Sequence, residues 1–399
     1  MENNKKSFWK GALCGALATL LVVIIIGGTI ILCSFLGLTD KIVDIKTEIK
    51  LKMIQSIIDD TYLYVDDIDK NELRDSLIEG YVAGLNEPYT VYYDEEETTA
   101  LFESSSGEFG GIGITIMQDI TTMEMTFATI HENCPGEVAG FREGDILYKV
   151  DGEDVTGQEL DHVITKIRGD VGTEIEMTVL RGPEKKEYTA TMVRTLIQNQ
   201  SVKYEMLDDQ IGYISVTGFE DLTAGQFEAA ILDLTDQKMK SVIIDLRGNP
   251  GGNLSTVVDM CDMILSGGTI VSIEDRNGKG ETYTADAECI LQVPMVLLVN
   301  ENSASASEVF TGAMKDHGIA TIVGTTTYGK GSVQELYSLN DGTIFKFTVA
   351  EYRLPSGVSI NKKGIKPDVE VERKYDLEDL DYDNQLEKAL EVAKEKIKK

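Results

Sequence analysis

A serine and a lysine carry the strongest chemical signal in this chain of 399 residues. Ser305 follows an apolar run, Pro294 to Val299, that ends in small polar residues. A run of that kind closed by turn formers reads as a buried strand. From Ser305 the pattern turns helical, with Val309, Phe310, Ala313 and Met314 on one side and a stop at Gly318. A short strand over 320–323 then enters a loop in which Gly329 and Gly331 flank Lys330. A hydroxyl at a strand-to-helix corner becomes a nucleophile once a base takes its proton. Histidine is the usual base, and the chain has three. His317 lies along the same predicted helix, about 18 Å from Ser305 at the helical rise, and His131 and His162 fall in a separate module. Lysine remains, the Ser-Lys variant of triad logic. To work near neutral pH its pKa must fall from about 10.4 by about 3, which costs roughly 4 kcal/mol and requires burial.

Plainer roles fit the same residues. Ser305 and Glu308 spell the S-x-x-E capping box, in which the serine only satisfies orphan amides, and a lone loop lysine is ordinarily solvated. The stretch 324–330, G-T-T-T-Y-G-K, nearly spells a phosphate loop. Gly331 stands where the metal-binding hydroxyl belongs, however, and no clear helix follows, so nucleotide binding is rejected. A third piece is the strand over 242–246, followed by R-G-N-P-G-G at 247–252 and a helical pattern through Leu254, Val257, Val258, Cys261, Ile264 and Leu265. Adjacent glycines entering a helix expose amides suited to a developing oxyanion; an ordinary Gly-rich turn reads the same way.

Together D-L-R-G-N-P-G-G (245–252), N-S-A-S-A-S-E (302–308) and G-T-T-T-Y-G-K-G-S-V-Q (324–334) resemble the C-terminal processing peptidases, or tail-specific proteases, a Ser/Lys serine protease family. The resemblance implies Ser305 as nucleophile rather than Ser303 or Ser307, Lys330 as general base and Gln334 as the residue that orients the lysine. It places the oxyanion hole at the amides of Gly251 and Ala306. It also implies an α/β core of the ClpP/crotonase-like spiral type over 196–375, with 352–357 and 364–368 as closing strands. Strands alternating with helices from Ile211 onward agree with an α/β layered core.

Residues 104–195 read as an inserted β-rich module with two short helices. Its G-G-I-G-I-T-I (110–116), N-C-P-G-E-V-A-G (133–140) and E-G-D-I-L-Y-K-V-D-G (143–152) resemble a PDZ domain. PDZ domains add a peptide strand to a sheet edge and hold its terminal carboxylate in a backbone nest; Gly111, Ile112, Gly113 and Ile114 match that loop. Arg168 sits in a predicted loop, either solvated or against the protease core.

Upstream, residues 11–39 contain no charged side chain, enough to span a hydrocarbon core of about 30 Å. Lys5, Lys6 and Lys10 precede them, which places residues 1–10 in the cytoplasm and the rest outside. A transmembrane anchor over 11–38 is favoured over a cleaved signal peptide, whose apolar core is shorter and whose small-x-small cleavage site is not clear here. Residues 40–103 form a helical arm, a candidate dimerisation element by the family resemblance. Its N-E-P-Y-T at 86–90 departs from the family's D-D-P-Y-T, a difference expected to bear on local structure rather than chemistry. Residues 376–399 close the chain with an amphipathic helix whose last-turn lysines suit the helix dipole.

Bulk properties narrow the partners. The net charge of −31 argues against nucleic acid. The five cysteines form neither a disulfide framework nor a metal-ligand pattern, and no metal or cofactor is expected. The expectation is a single-pass membrane-tethered, extracytoplasmic endopeptidase acting on polypeptides with unstructured apolar C-terminal tails. The alternative is a catalytically silent PDZ scaffold that binds such tails. The PDZ-like module argues against an amidase for small molecules.

Overall fold

A computed structural model describes residues 19, 20, 28, 42–286, 288–376, 379 and 382–398. The predicted anchor and the cytoplasmic N-terminus lie outside the described residues, apart from Thr19, Leu20 and Gly28. Among the described residues no helix is long and apolar enough to cross a membrane. Residues 1–78 and 79–399 form two compact units. In the first, the helix Ile45–Thr61 is capped by Asp44, whose carboxylate accepts from the Thr47 amide at 2.9 Å. It leaves Ile49, Met53, Ile54 and Ile57 exposed.

The second unit is built on a six-stranded sheet in the order Val202–Leu207, Ile211–Val216, Ser241–Asp245, Met295–Val299, Ala320–Gly324, Val369–Glu370. The first pair is antiparallel and the rest parallel. Strands buried on both faces read as unbroken apolar runs, as in Ser241–Asp245 and Met295–Val299, where every residue is buried. The helices Thr223–Asp236, Leu254–Asp262 and Ala306–Asp316 pack on one face through Phe227, Val257, Met260 and Phe310. The C-terminal helix Asn384–Ile397 covers the other with Ala389 and Ala393 against Ile243, Val296 and Leu298.

A second, antiparallel sheet joins Val91–Tyr93, Ile344–Arg353, Gly268–Asp275 and Thr282–Ala285, with Ser332–Ser338 also paired to Ile344–Arg353. It corrects two expectations. The arm is not wholly helical, because Val91–Tyr93 is a strand of this sheet, ahead of a further helix, Glu95–Ser106. The residues expected to form closing strands at 352–357 and 364–368 lie mostly in a loop. Strand Ile344–Arg353 ends where Pro355 and Gly357 permit a turn, the Leu354 amide reaching the Val358 carbonyl at 3.0 Å. That loop packs instead against 327–331, with the Ile365 amide on Thr327 Oγ1 at 2.7 Å and the Lys362 amide on the Gly329 carbonyl at 2.7 Å.

The β-rich module has its own sheet: Ile114–Gln118, Met125–Ile130, Ile146–Val150, Glu174–Arg181 and Lys186–Val193, with Glu153–Asp154 beside Ile146–Val150. Its separate core centres on Phe127, Phe141, Val163 and Met177. Chain entry and exit are paired strands, Glu108–Gly111 with Thr195–Gln198.

Candidate active site

Three neighbouring parallel strands deliver the predicted residues at their C-terminal ends, the place where open α/β sheets carry their sites. Ser241–Asp245 runs into the glycine loop, Met295–Val299 into the serine corner, and Ala320–Gly324 into the lysine loop.

Ser305 is held at φ 55° and ψ −114°, a sparsely populated conformation for a residue with a side chain. Such strain costs about 1–3 kcal/mol and persists only where surroundings enforce it. The flanking serines supply that enforcement. Ser303 Oγ donates to the Leu246 carbonyl at 2.7 Å and Ser307 Oγ to the Asn249 carbonyl at 2.9 Å, and both are fully buried. They rivet the serine corner to the glycine loop, with the Ala304 amide on the Asn249 carbonyl at 3.1 Å. Gly251 then lies so close that a Cβ there would sit 2.8 Å from Ser305 Cβ and 3.0 Å from the Ala306 nitrogen. The Ala306 amide is the first of the helix and has no protein acceptor among the described residues. The Gly251 amide donates to Asn249 Oδ1 at 2.8 Å.

Glu308 joins the serine corner to the lysine loop. Its carboxylate is fully buried and accepts from the Ser305 amide at 3.0 Å, the Lys330 amide at 2.8 Å, the Gly329 amide at 2.8 Å and Thr327 Oγ1 at 2.6 Å. The capping-box glutamate expected from sequence is therefore made, and it reaches across to the lysine loop as well.

Lys330 is half-buried. Its Nζ lies over the Tyr89 ring, 4.4 Å from the centroid, and no hydrogen bond joins it to Ser305 Oγ among the described residues. Burial, then the neighbouring Lys346 ammonium, hold its pKa below the ordinary lysine value, while Glu87 and Glu308 act in the opposite sense. No hydrogen bond joins Gln334 to the lysine among the described residues. Its Nε2 donates to Ser332 Oγ at 3.0 Å and Thr348 Oγ1 at 3.1 Å, past a β-bulge between Val333 and Gln334.

Sequence reasoning missed the 86–90 turn. Glu87 Oε2 accepts from Thr90 Oγ1 at 2.6 Å and Thr348 Oγ1 at 3.0 Å, so this turn meets both Lys330 and the partner of Gln334. Glu87, one of the two residues at which N-E-P-Y-T departs from the family's D-D-P-Y-T, lies at these contacts. Only the P-Y-T match to the family pointed there, because nothing in local spacing relates Tyr89 to Lys330.

In the β-rich module, Gly111, Ile112, Gly113 and Ile114 come together along a cavity of about 790 Å³, opposite Ile164 and Ile167. Ile114–Gln118 is an edge strand of its sheet. Arg168 is not simply solvated: it stacks on Phe109 at 4.1 Å and pairs with Glu103 at 3.5 Å.

Comparison with known proteins agrees with this architecture. Residues 210–371 match peptidase family S41 and residues 126–181 a PDZ domain. A probable CtpA-like serine protease of Staphylococcus haemolyticus is 34% identical over 360 residues, covering 88% of this chain and 71% of that protein. Its counterpart in Staphylococcus aureus strain COL is 34% identical over 326 residues, covering 81% of this chain and 64% of that protein's length. Among solved structures, the photosystem II D1 C-terminal processing protease aligns with 28% identity and a TM-score of 0.47, covering 81% of this chain and 86% of that one. The chain belongs to peptidase family S41, among the C-terminal processing peptidases, and is a serine-type peptidase with a PDZ domain.

Proposed function

We propose that the chain is an endopeptidase of Ser-Lys mechanism that captures apolar C-terminal tails of polypeptides in its PDZ groove. The observation that carries this reading is the buried Glu308 carboxylate, which binds the main chains of both Ser305 and Lys330. Ser305 Oγ attacks the scissile carbonyl as its proton passes to Lys330 Nζ. The Gly251 and Ala306 amides stabilise the tetrahedral oxyanion, which requires Gly251 to leave Asn249 Oδ1. The intermediate collapses to an acyl-enzyme as the Lys330 ammonium protonates the leaving amine. Water then attacks the ester, Lys330 again taking and returning a proton. For tail capture, the open edge of Ile114–Gln118 suits an added strand and the 111–114 loop suits its carboxylate. Gln334 acts through Ser332 and Thr348 rather than by direct contact.

The test is degradation of an unfolded reporter with an apolar C-terminal tail by the full chain. Ser305→Ala and Lys330→Ala should each lose more than about 10³-fold in rate while still binding the tail. Ser307→Ala loses one side-chain hydrogen bond, about 1 kcal/mol of stability, and Ser303→Ala loses those with the Leu246 carbonyl and the Asn300 amide, about 2 kcal/mol, and both should keep activity. Undiminished cleavage by Ser305→Ala would sink the mechanism. Binding without cleavage by the unmodified chain would mean that the site, with Gly251 on Asn249 and Lys330 over Tyr89, is held in a resting state.

We further propose that residues 11–38 anchor the chain with its peptidase domain outside the cytoplasm, and that the exposed row of Ile49, Met53 and Ile57 supports self-association. Release of the full chain from membranes by alkaline carbonate, or a monomeric mass in detergent, would count against the respective part.

A further inference from the structure

We propose that the 86–90 turn is part of the proteolytic centre, with the Tyr89 ring and the Glu87 carboxylate forming the counterface that holds the charged side chain of Lys330. This rests on the Ser-Lys reading and adds to it two positioning residues far upstream of the 210–371 family match.

The turn is built to face the lysine. It closes with the Thr90 amide on the Glu87 carbonyl at 3.1 Å, and Thr90 Oγ1 then donates to Glu87 Oε2 at 2.6 Å. The strand Val91–Tyr93 follows at once and pairs with Ile344–Arg353, which also pairs with the strand carrying Gln334. The Thr348 amide reaches Thr90 Oγ1 at 3.3 Å, and Thr348 Oγ1 donates to Glu87 at 3.0 Å. These contacts fix the turn to the strand beside the lysine loop, with the Tyr89 ring under Lys330 Nζ.

The consequence is chemical. When Lys330 takes the Ser305 proton it becomes an ammonium in a half-buried position, where Nζ has no hydrogen-bond acceptor among the described residues. An aromatic face attracts an ammonium and has far less hold on the neutral amine. The ring therefore binds the charged form, and the neutral form is released towards the serine. The other groups facing the lysine are Glu87 from the turn, Glu308 from the serine helix, Lys346 from the strand Ile344–Arg353, and Tyr328, which faces Tyr89 from the lysine loop. Lys346 is itself engaged with the Tyr93 hydroxyl. Burial and Tyr328 push the Tyr89 phenol up to about 12, so the ring stays neutral where the enzyme works.

The sign of the effect is fixed. Lys330 acts as a base only when neutral, so activity rises with pH through its titration. Removing the ring or the Glu87 charge disfavours the ammonium and moves that acid limb to lower pH. We would measure kcat/KM against pH for the full chain on the tailed unfolded reporter. Tyr89→Leu is expected to move the limb down by roughly half a pH unit to one and a half. Tyr89→Phe keeps the ring and should hold the limb within about 0.3 of wild type. Glu87→Gln should move it in the same direction as Tyr89→Leu. A loss of activity at every pH with the limb unmoved in Tyr89→Leu and Glu87→Gln would overturn the proposal, leaving a packing role. An equal shift in Tyr89→Phe would overturn the role of the ring. If circular dichroism shows that Tyr89→Leu does not fold, Glu87→Gln decides. Lys330→Ala is run alongside. Activity in that variant removes the Ser-Lys reading itself, whereas an inactive Lys330→Ala with an unmoved limb removes only this inference.

Discussion

Ser305 and Lys330 each occupy a position that an unconstrained chain avoids, one through its backbone angles and the other through burial of its amine. The lysine makes the conflict between stability and function measurable. Burial and Lys346 hold its pKa below the value of about 10.4 expected in the unfolded chain. Between those two values the unfolded chain binds more protons, so stability rises with pH across that window and is poorest below it. Lys330→Met removes the buried ammonium. The variant should melt above wild type at the low-pH end of a series, with the gap narrowing as pH approaches about 10.4. A melting temperature below wild type throughout would mean that the lysine is held by more than the aromatic face and the two carboxylates.

At the scale of elements, the site is made by the register of three parallel strands and by the loops at their ends. Gly251 is the tightest point of that assembly. Its φ of 109° lies where side chains are strained, and a Cβ would meet Ser305 Cβ at 2.8 Å and the Ala304 carbonyl oxygen at 2.9 Å. Gly251→Ala must push the glycine loop off the serine corner. It should reduce the rate by more than about 10²-fold, as loss of an oxyanion donor does, with little effect on tail binding. Active-site titration with a fluorophosphonate, compared with tail binding by fluorescence anisotropy, checks this. Normal acylation would show that the loop accommodates the methyl group and that Gly251 is not an oxyanion donor. Gly331 has a similar constraint, since a Cβ there would lie 2.6 Å from the Asn361 amide nitrogen.

Across the whole molecule, the chain's last helix is tied to the start of the glycine loop. Arg247 donates to Asp245 Oδ2 at 2.6 Å, to Asp383 Oδ1 at 3.0 Å and to Gln385 Oε1 at 3.1 Å, while Tyr213 donates to Asp245 at 2.8 Å. Asp383 is also the helix cap, accepting from the Gln385 and Leu386 amides. Burial pushes its carboxyl up, but bonds from Arg247 and the Leu386 amide, with the charges of Arg247 and Arg373, outweigh that and hold it below the ordinary value. A depressed carboxyl contributes stability above its unfolded pKa of about 3.9, which is lost as pH falls through the folded value. Asp383→Asn should therefore cost about 1–3 kcal/mol near neutral pH. The difference should shrink as pH falls below about 3.9 towards the lowered folded value. Urea unfolding at neutral and acid pH checks it, and an unchanged midpoint at neutral pH would show that the helix is held by Ala389 and Ala393 packing alone.

Much of this was legible in the chain itself. Unbroken apolar runs specify strands buried on both faces, so Ser241–Asp245 and Met295–Val299 were readable, as was the serine helix with its glutamate at the capping position. Those are local properties, set by side-chain periodicity and by hydrogen bonds between residues a few positions apart. The three motif words identified the reaction class. The choice of Ser305 over Ser303 and Ser307 rests on resemblance, and the fold adds that the outer two hydroxyls are engaged with Leu246 and Asn249. Tertiary structure alone placed Tyr89 and Glu87 against Lys330, moved Gln334 onto Thr348, and tied Asp383 to Arg247. Each of these pairings depends on the twist, register and order of strands, which no window of sequence encodes, because strand neighbours are chosen by the burial of the whole sheet.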